Sequence, residues 1–111
     1  MLDISFFIYV IILMCFEISA QVLFKKSYSV DKNKRLILMI GILLYSISGF
    51  FASKLLAYGS MGMVNVVWHM FHFILIFIVG NLVFGENYTN KQLLACILGV
   101  TSIYLFMSEG M

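Results

Sequence analysis

Charged residues are scarce in this sequence, and proline is absent. Seven Lys or Arg and five Asp or Glu occur in 111 residues, so that 11% of the chain is charged and 63% is hydrophobic. A soluble domain averages about 25% charged and about 45–50% apolar residues. The composition therefore excludes a soluble domain and predicts a single membrane domain over residues 1–111.

Motifs for catalysis and for nucleic-acid binding are also lacking. The sequence has no glycine-rich phosphate loop and no Ser/His/Asp set, and Cys15 and Cys96 do not have metal-ligand spacing. We therefore expect no enzymatic activity, no cofactor or metal, and no nucleic-acid partner. The N-terminus lacks the basic region and the small-residue cleavage site of a signal peptide, so we expect the first apolar segment to remain as a helix.

Four long apolar segments are present, at about residues 4–24, 36–58, 61–84 and 91–107. A helix needs about 20 apolar residues to cross a bilayer, which the first three segments reach and the fourth approaches. Their length without alternation excludes lipid-facing strands. The predicted fold is all-α, with four transmembrane helices. A bundle this small would have to oligomerise to enclose a transport path.

Basic residues are concentrated in two connections, 25–35 and 85–91, which hold six of the seven Lys and Arg. The seventh, Lys54, lies inside the second apolar segment. Cytoplasmic loops carry the excess of basic residues in membrane proteins. We therefore expect an integral protein of a bacterial inner or plasma membrane, with both connections cytoplasmic and both termini on the other side. The bias of six to none predicts one fixed orientation.

One carboxylate, Glu17, lies near the middle of the first apolar segment. A charged side chain at the bilayer centre costs roughly 2.5–3.5 kcal/mol on insertion scales, and such residues usually mark transport or proton paths. Burial disfavours the ionised form of a carboxylate, so a buried acid can release its proton to an arriving cation and take it back later. The alternative is a protonated Glu17 that only hydrogen-bonds across a helix interface.

Two further polar side chains accompany Glu17 in the first two helices. Gln21 lies one turn from Glu17 and either orients the carboxyl group, binds a polar substrate, or joins two helices by a hydrogen bond worth about 0.6 kcal/mol. Tyr45, on the second helix, is a weaker candidate for the same pocket. Lys54 is expected to extend its ammonium group to the membrane interface and not to pair with Glu17.

The third helix carries a polar stripe. Asn65, His69 and His72 are spaced i, i+4 and i+7, with Trp68 beside them. Histidine titrates near neutral pH and could relay protons, and tryptophan can stack on a cation. The stripe either lines a pocket or makes structural hydrogen bonds. Zinc binding is a weaker alternative, since a third ligand would have to come from Glu17 or from a partner subunit.

Several short motifs occur in order along nearly the whole chain. They are Glu17 and Lys25, Leu56-Ala57-Tyr58, Gly62, Val66-Val67-Trp68, Phe84-Gly85-Glu86, and the small residues Ala95, Gly99 and Ser102. Taken together, these motifs resemble the small multidrug resistance family of the drug/metabolite transporter (EamA-like) superfamily.

This resemblance implies a dimer of four-helix subunits that exchanges protons for cationic or lipophilic substrates through the first-helix glutamates. Glu17 would be the shared proton and substrate site, and Ala95, Gly99 and Ser102 would form the dimer interface. The chain departs from the drug pumps at Asn65, where they have an aromatic residue. It also lacks their glycine after the tryptophan, reading His69-Met70-Phe71-His72 instead.

The main hypothesis is therefore proton-coupled efflux of a cationic or amphipathic small molecule. Its predicted site comprises Glu17, Gln21, Tyr45, Asn65, Trp68, His69 and His72. One alternative is a subunit of a lipid-carrier flippase of the undecaprenyl-phosphate aminosugar type, because related subunits have a glutamine near position 21. Another is a small non-transporting subunit of a membrane complex. The fixed orientation favours a second, oppositely oriented four-helix subunit over a homodimer of mixed orientation; a parallel dimer is the remaining possibility.

Overall fold

The protein is almost entirely helical. The computed structural model describes residues 4–109, except for the side chains of Phe106 and Met107. Within this range the chain forms α1 (Ile4–Ser27), α2 (Lys34–Leu55), α3 (Met61–Phe84) and α4 (Asn90–Ser108), and a short 3-10 helix, Leu56–Tyr58, follows α2. No strand occurs among the described residues. The predicted all-α fold with four helices is confirmed.

Three helical segments among the described residues are long and apolar enough to cross a membrane: Ile4–Ser27, Lys34–Tyr58 and Met61–Phe84. Large apolar side chains, including Ile11, Met39, Leu82 and Leu105, are more than half exposed. Apolar surface of this extent suits contact with lipid and not with water. The chain is therefore a membrane protein, whereas a membrane crossing by the 19-residue α4 stays a prediction.

The first connection is shorter than the sequence predicted. We expected helices over 4–24 and 36–58, but α1 continues to Ser27 and α2 begins at Lys34. Lys25 and Lys26 occupy the last turn of α1, where a positive charge interacts favourably with the helix dipole. The Ser27 hydroxyl donates to the Phe24 carbonyl at 2.7 Å.

The end of α2 also differs from the prediction. The α-helix ends at Leu55, and the chain continues as the 3-10 helix Leu56–Tyr58.

The chain forms two compact units, Met1–Tyr58 and Gly59–Met111. In the first unit, α1 and α2 form an antiparallel hairpin. The Phe24 and Tyr45 rings lie 6.2 Å apart near one end, and the Phe6 and Tyr58 rings lie 5.7 Å apart near the other. Residues of α1 at helical spacing are buried, as expected for one packed face: Phe6, Val10, Leu13, Met14, Glu17, Ile18 and Ala20.

In the second unit, a folded turn joins α3 to α4. Gly85 ends α3 in the left-handed conformation, with φ of 63°, which glycine adopts without steric cost. The Asn81 amide donates to the Glu86 carbonyl at 2.9 Å, and the Tyr88 hydroxyl donates to Glu86 Oε1 at 3.0 Å. The turn therefore folds back onto the last turns of α3.

A capping box begins α4. The Thr89 N–H donates to Gln92 Oε1 at 2.9 Å, and the Gln92 N–H donates to Thr89 Oγ1 at 3.1 Å. This reciprocal pair satisfies two amides that the start of a helix leaves without a helical partner. As a result α4 runs over Asn90–Ser108, slightly longer than the predicted 91–107.

Candidate functional site

Glu17 lies on the packed face of α1. Only 7% of its surface is exposed, and Leu13, Met14 and Ile18 on the same helix are buried with it. A carboxylate this buried has lost most of its contact with solvent, and removing a charge from water is costly unless partners replace it. The structure therefore confirms that Glu17 is a buried acid, while its chemical role stays a prediction.

Aromatic contacts between the two helices show the depth of Glu17 in the hairpin. Phe16 stacks on Phe51 at 5.9 Å, and Phe24 meets Tyr45 at 6.2 Å. Glu17 lies between the two contact residues of α1. On α2, the buried Ser48 lies between Tyr45 and Phe51. Because Glu17 directly follows Phe16 and the helices are antiparallel, Glu17 lies at about the level of Phe50 and Phe51.

Lys54 is the one basic residue inside the second apolar segment. It is exposed, and its Nζ lies 5.3 Å from the centroid of the Phe50 ring, one turn earlier. This position near the end of α2, with a cation–π contact, agrees with an ammonium group directed to the membrane interface.

Gln21 and Tyr45 line a common groove in the first unit. The groove has a volume of about 520 Å³, and its other lining residues are Phe24, Lys25 and Tyr28. Gln21 is half-buried, whereas Tyr45 is 49% exposed. The structure thus brings together two predicted site residues from different helices.

Three of these lining residues were not among the predicted site residues. Gln21, Phe24, Lys25 and Tyr28 are spaced i, i+3, i+4 and i+7, which places them on one face of a helix. This spacing was the available signal in the sequence. The predicted first helix ends at residue 24, one turn before the observed end at Ser27, so that Lys25 and Tyr28 fall outside it.

The polar stripe of α3 is held by bonds to its own helix. The Asn65 amide donates to the Met61 carbonyl at 2.7 Å. His69 Nδ1 lies 2.6 Å from the Asn65 carbonyl, and because a carbonyl only accepts, Nδ1 carries the proton of this hydrogen bond. These contacts support the alternative in which Asn65 and His69 make structural hydrogen bonds. They do not test the alternative in which the stripe lines a pocket.

The remaining residues near the stripe differ in exposure. His72 and Trp68 are half-buried, whereas His69 is exposed. The Trp68 and His69 rings lie 5.1 Å apart with an angle of 30° between their planes. Their participation in a site stays a prediction. Within residues 4–109, no three His, Cys, Asp or Glu side chains are grouped so as to hold a metal ion.

The predicted dimer residues on α4 leave an open surface in the second unit. Ala95 and Ser102 are exposed and Gly99 is half-buried. A Cβ atom built on Gly99 would meet no heavy atom within 4 Å. The Ser102 hydroxyl donates to the Leu98 carbonyl of its own helix at 2.9 Å. This face is free of bulky side chains at these three positions, and its use in a dimer stays a prediction.

No protein-family model, curated protein or solved structure matches the chain. The resemblance to the small multidrug resistance family therefore rests on the motifs of this sequence alone. Function has to be argued from the buried carboxylate and its surroundings.

Proposed function

We propose that the protein is a proton-coupled membrane transporter of cationic or amphipathic small molecules, with Glu17 as the shared site for proton and substrate. One observation carries the proposal: Glu17 is 7% exposed on the packed face of a helix long and apolar enough to span a membrane. Ionisable residues at membrane depth are expensive and usually functional.

The chemistry follows from competition for one carboxyl group. In this scheme the carboxyl group holds a proton when no cation is bound. An arriving cation stabilises the carboxylate by ion pairing, and the proton leaves to water. When the cation departs, the carboxylate takes up a proton again. The Glu17 carboxyl group thus binds either a proton or a cation, but not both. Transport by this group therefore exchanges one for the other, and the two move across the membrane in opposite directions.

Solid-supported membrane electrophysiology on reconstituted protein tests this proposal. A panel of organic cations is applied to the wild type, to Glu17→Gln and to Glu109→Gln, which removes an exposed carboxylate of the same chemistry. We expect substrate-dependent currents from the wild type and from Glu109→Gln, and a loss of at least about tenfold in Glu17→Gln, as when a buried charge partner is removed.

Other outcomes favour the alternatives. Identical currents from wild type and Glu17→Gln would reject the main proposal. A flippase subunit would tolerate Glu17→Gln but fail on substitution of Gln21, and a non-transporting subunit would give no substrate-dependent current in any variant.

The charge distribution bears on orientation and assembly. Six of the seven basic residues lie in 25–35 and 85–91, which supports cytoplasmic connections and a partner subunit of opposite orientation. A reporter tag that is active only in the cytoplasm is fused to each terminus in turn, and its activity tests this arrangement. We expect both termini outside the cytoplasm, and a large population with cytoplasmic termini would instead support a homodimer of mixed orientation.

A further inference from the structure

The groove near the end of α1 combines aromatic walls with a cation and an amide. Phe24, Tyr28 and Tyr45 supply rings, Lys25 supplies an ammonium group, and Gln21 supplies a side-chain amide. All five side chains belong to the α1–α2 hairpin. This mixture suits a ligand with a polar, negatively charged part and an adjoining apolar part.

The surroundings of the groove are strongly basic. Lys25, Lys26, Lys34 and Arg35 are exposed, and Asp31 is the sole acidic residue between positions 25 and 35. The Nζ atom of Lys34 lies 5.6 Å from the centroid of the Tyr28 ring. Lys25 and Lys34 thus place two positive charges at the groove, which attract an anion.

One end of the groove, at Lys25 and Tyr28, lies at the depth of lipid headgroups, and the other end reaches into the apolar part of the hairpin. The Lys25 and Tyr28 end lies where the apolar helix Ile4–Ser27 ends and the polar connection begins. Tyr28 is 81% exposed, and tyrosine at the end of a membrane helix is typical of the headgroup region. Basic residues beside a membrane surface attract anionic lipids by about 1 kcal/mol each.

We propose that this groove binds the headgroup of an anionic phospholipid, with the phosphate diester at Lys25. Charge complementarity selects the negative headgroup, and the Tyr28 hydroxyl donates a hydrogen bond to its oxygens. Deeper in the membrane, the Gln21 amide donates to the ester oxygens of the lipid, and the Phe24 and Tyr45 rings contact the start of the acyl chains. The inference does not depend on the role proposed for Glu17.

Thermal-shift titration of the full chain in a nonionic detergent tests the proposal. Phosphatidylglycerol and phosphatidylcholine with the same acyl chains are compared, and soluble glycerophosphoglycerol serves as a headgroup without chains. We expect saturable stabilisation by phosphatidylglycerol only. Equal stabilisation by the two lipids would contradict selectivity for a negatively charged headgroup. Stabilisation by soluble glycerophosphoglycerol equal to that by phosphatidylglycerol would show that the ligand need not be a lipid.

Lys25→Gln and Lys32→Gln form a matched pair, since both remove one positive charge from the same region but only Lys25 lines the groove. We expect the apparent Kd for phosphatidylglycerol to rise about fivefold in Lys25→Gln, the value of one lysine near a headgroup, and to be nearly unchanged in Lys32→Gln. Lys25→Arg should retain binding. Equal weakening in both glutamine variants would show diffuse attraction to the connection and reject a built site.

A second pair keeps the test decisive if Lys25→Gln does not fold. Tyr28 and Tyr104 are both exposed, at 81% and 66%, but only Tyr28 lines the groove. Tyr28→Ala should weaken phosphatidylglycerol binding and Tyr104→Ala should not. Equal binding by these two variants would contradict the proposal.

Discussion

The ring of Phe24 on α1 packs directly against Gly41 on α2. A Cβ atom placed at position 41 would lie 2.7 Å from Phe24 Cε1 and 3.4 Å from the Ala20 carbonyl oxygen. Glycine at this position therefore allows the two helices to approach closely, as small residues do between helices in membranes. The same Phe24 side chain forms a wall of the groove described above.

We predict that Gly41→Ala destabilises the α1–α2 hairpin by about 1–3 kcal/mol relative to Gly49→Ala, the usual cost of overpacking. The added methyl group would have to displace the Phe24 ring. The measurement is thermal unfolding in detergent, followed by circular dichroism. Gly49→Ala, in the same helix, is the control because a Cβ atom placed at position 49 would meet no heavy atom within 4 Å.

The control should melt at the same temperature as the wild type or slightly higher, since alanine favours a helix over glycine by about 1 kcal/mol. If the two variants melted at the same temperature, the close contact between Phe24 and Gly41 would carry no energetic weight.

The Tyr88 hydroxyl, in the turn between α3 and α4, is held in its protonated form. Burial raises the pKa of Tyr88 above its ordinary value of 10.0, and the hydrogen bond to Glu86 and the negative charge of that carboxylate raise it further. The single phenolic proton is shared with the Phe77 carbonyl, whose oxygen lies 3.3 Å from the Tyr88 hydroxyl. A phenolate could make neither of these donations.

We therefore predict that the turn loses stability in alkali. Because the pKa is higher in the folded than in the unfolded state, the contribution of Tyr88 is complete below pH 10.0 and is lost as the pH rises through the higher folded value. The measurement is ultraviolet absorbance during an alkaline titration, as the difference between wild type and Tyr88→Phe. Glu86→Gln should lower the pKa of Tyr88, and a Tyr88 that ionised at or below 10.0 in the wild type would refute the account.

Helix number and the position of the buried acid were predictable from the sequence because both depend on simple physical limits. Long apolar segments can cross a bilayer only as helices, so the four helices followed from segment length. Glu17 was conspicuous because a lone carboxylate inside a long apolar segment needs an explanation. Val10, Leu13 and Met14, which are spaced one or two helical turns from Glu17, are buried with it.

Details that depend on local hydrogen bonds were not predicted. The end of α1 was placed one turn early because Lys25 and Lys26 look like loop residues when hydropathy alone is considered. The capping box of Thr89 and Gln92 has a recognisable sequence spacing but was not among the predicted features. The bonds of Asn65 and His69 to their own helix could not be read from spacing, because a polar stripe has the same spacing whether it faces a pocket or its own carbonyls.

The central claim is that Glu17 gives up its proton when a cation binds. Proton release on addition of a transported cation, followed with a pH indicator in weakly buffered detergent solution, measures this directly. We expect release from the wild type that saturates with the cation, and no release from Glu17→Gln. Equal release from Glu17→Gln, or transport by the wild type without any release, would contradict the account.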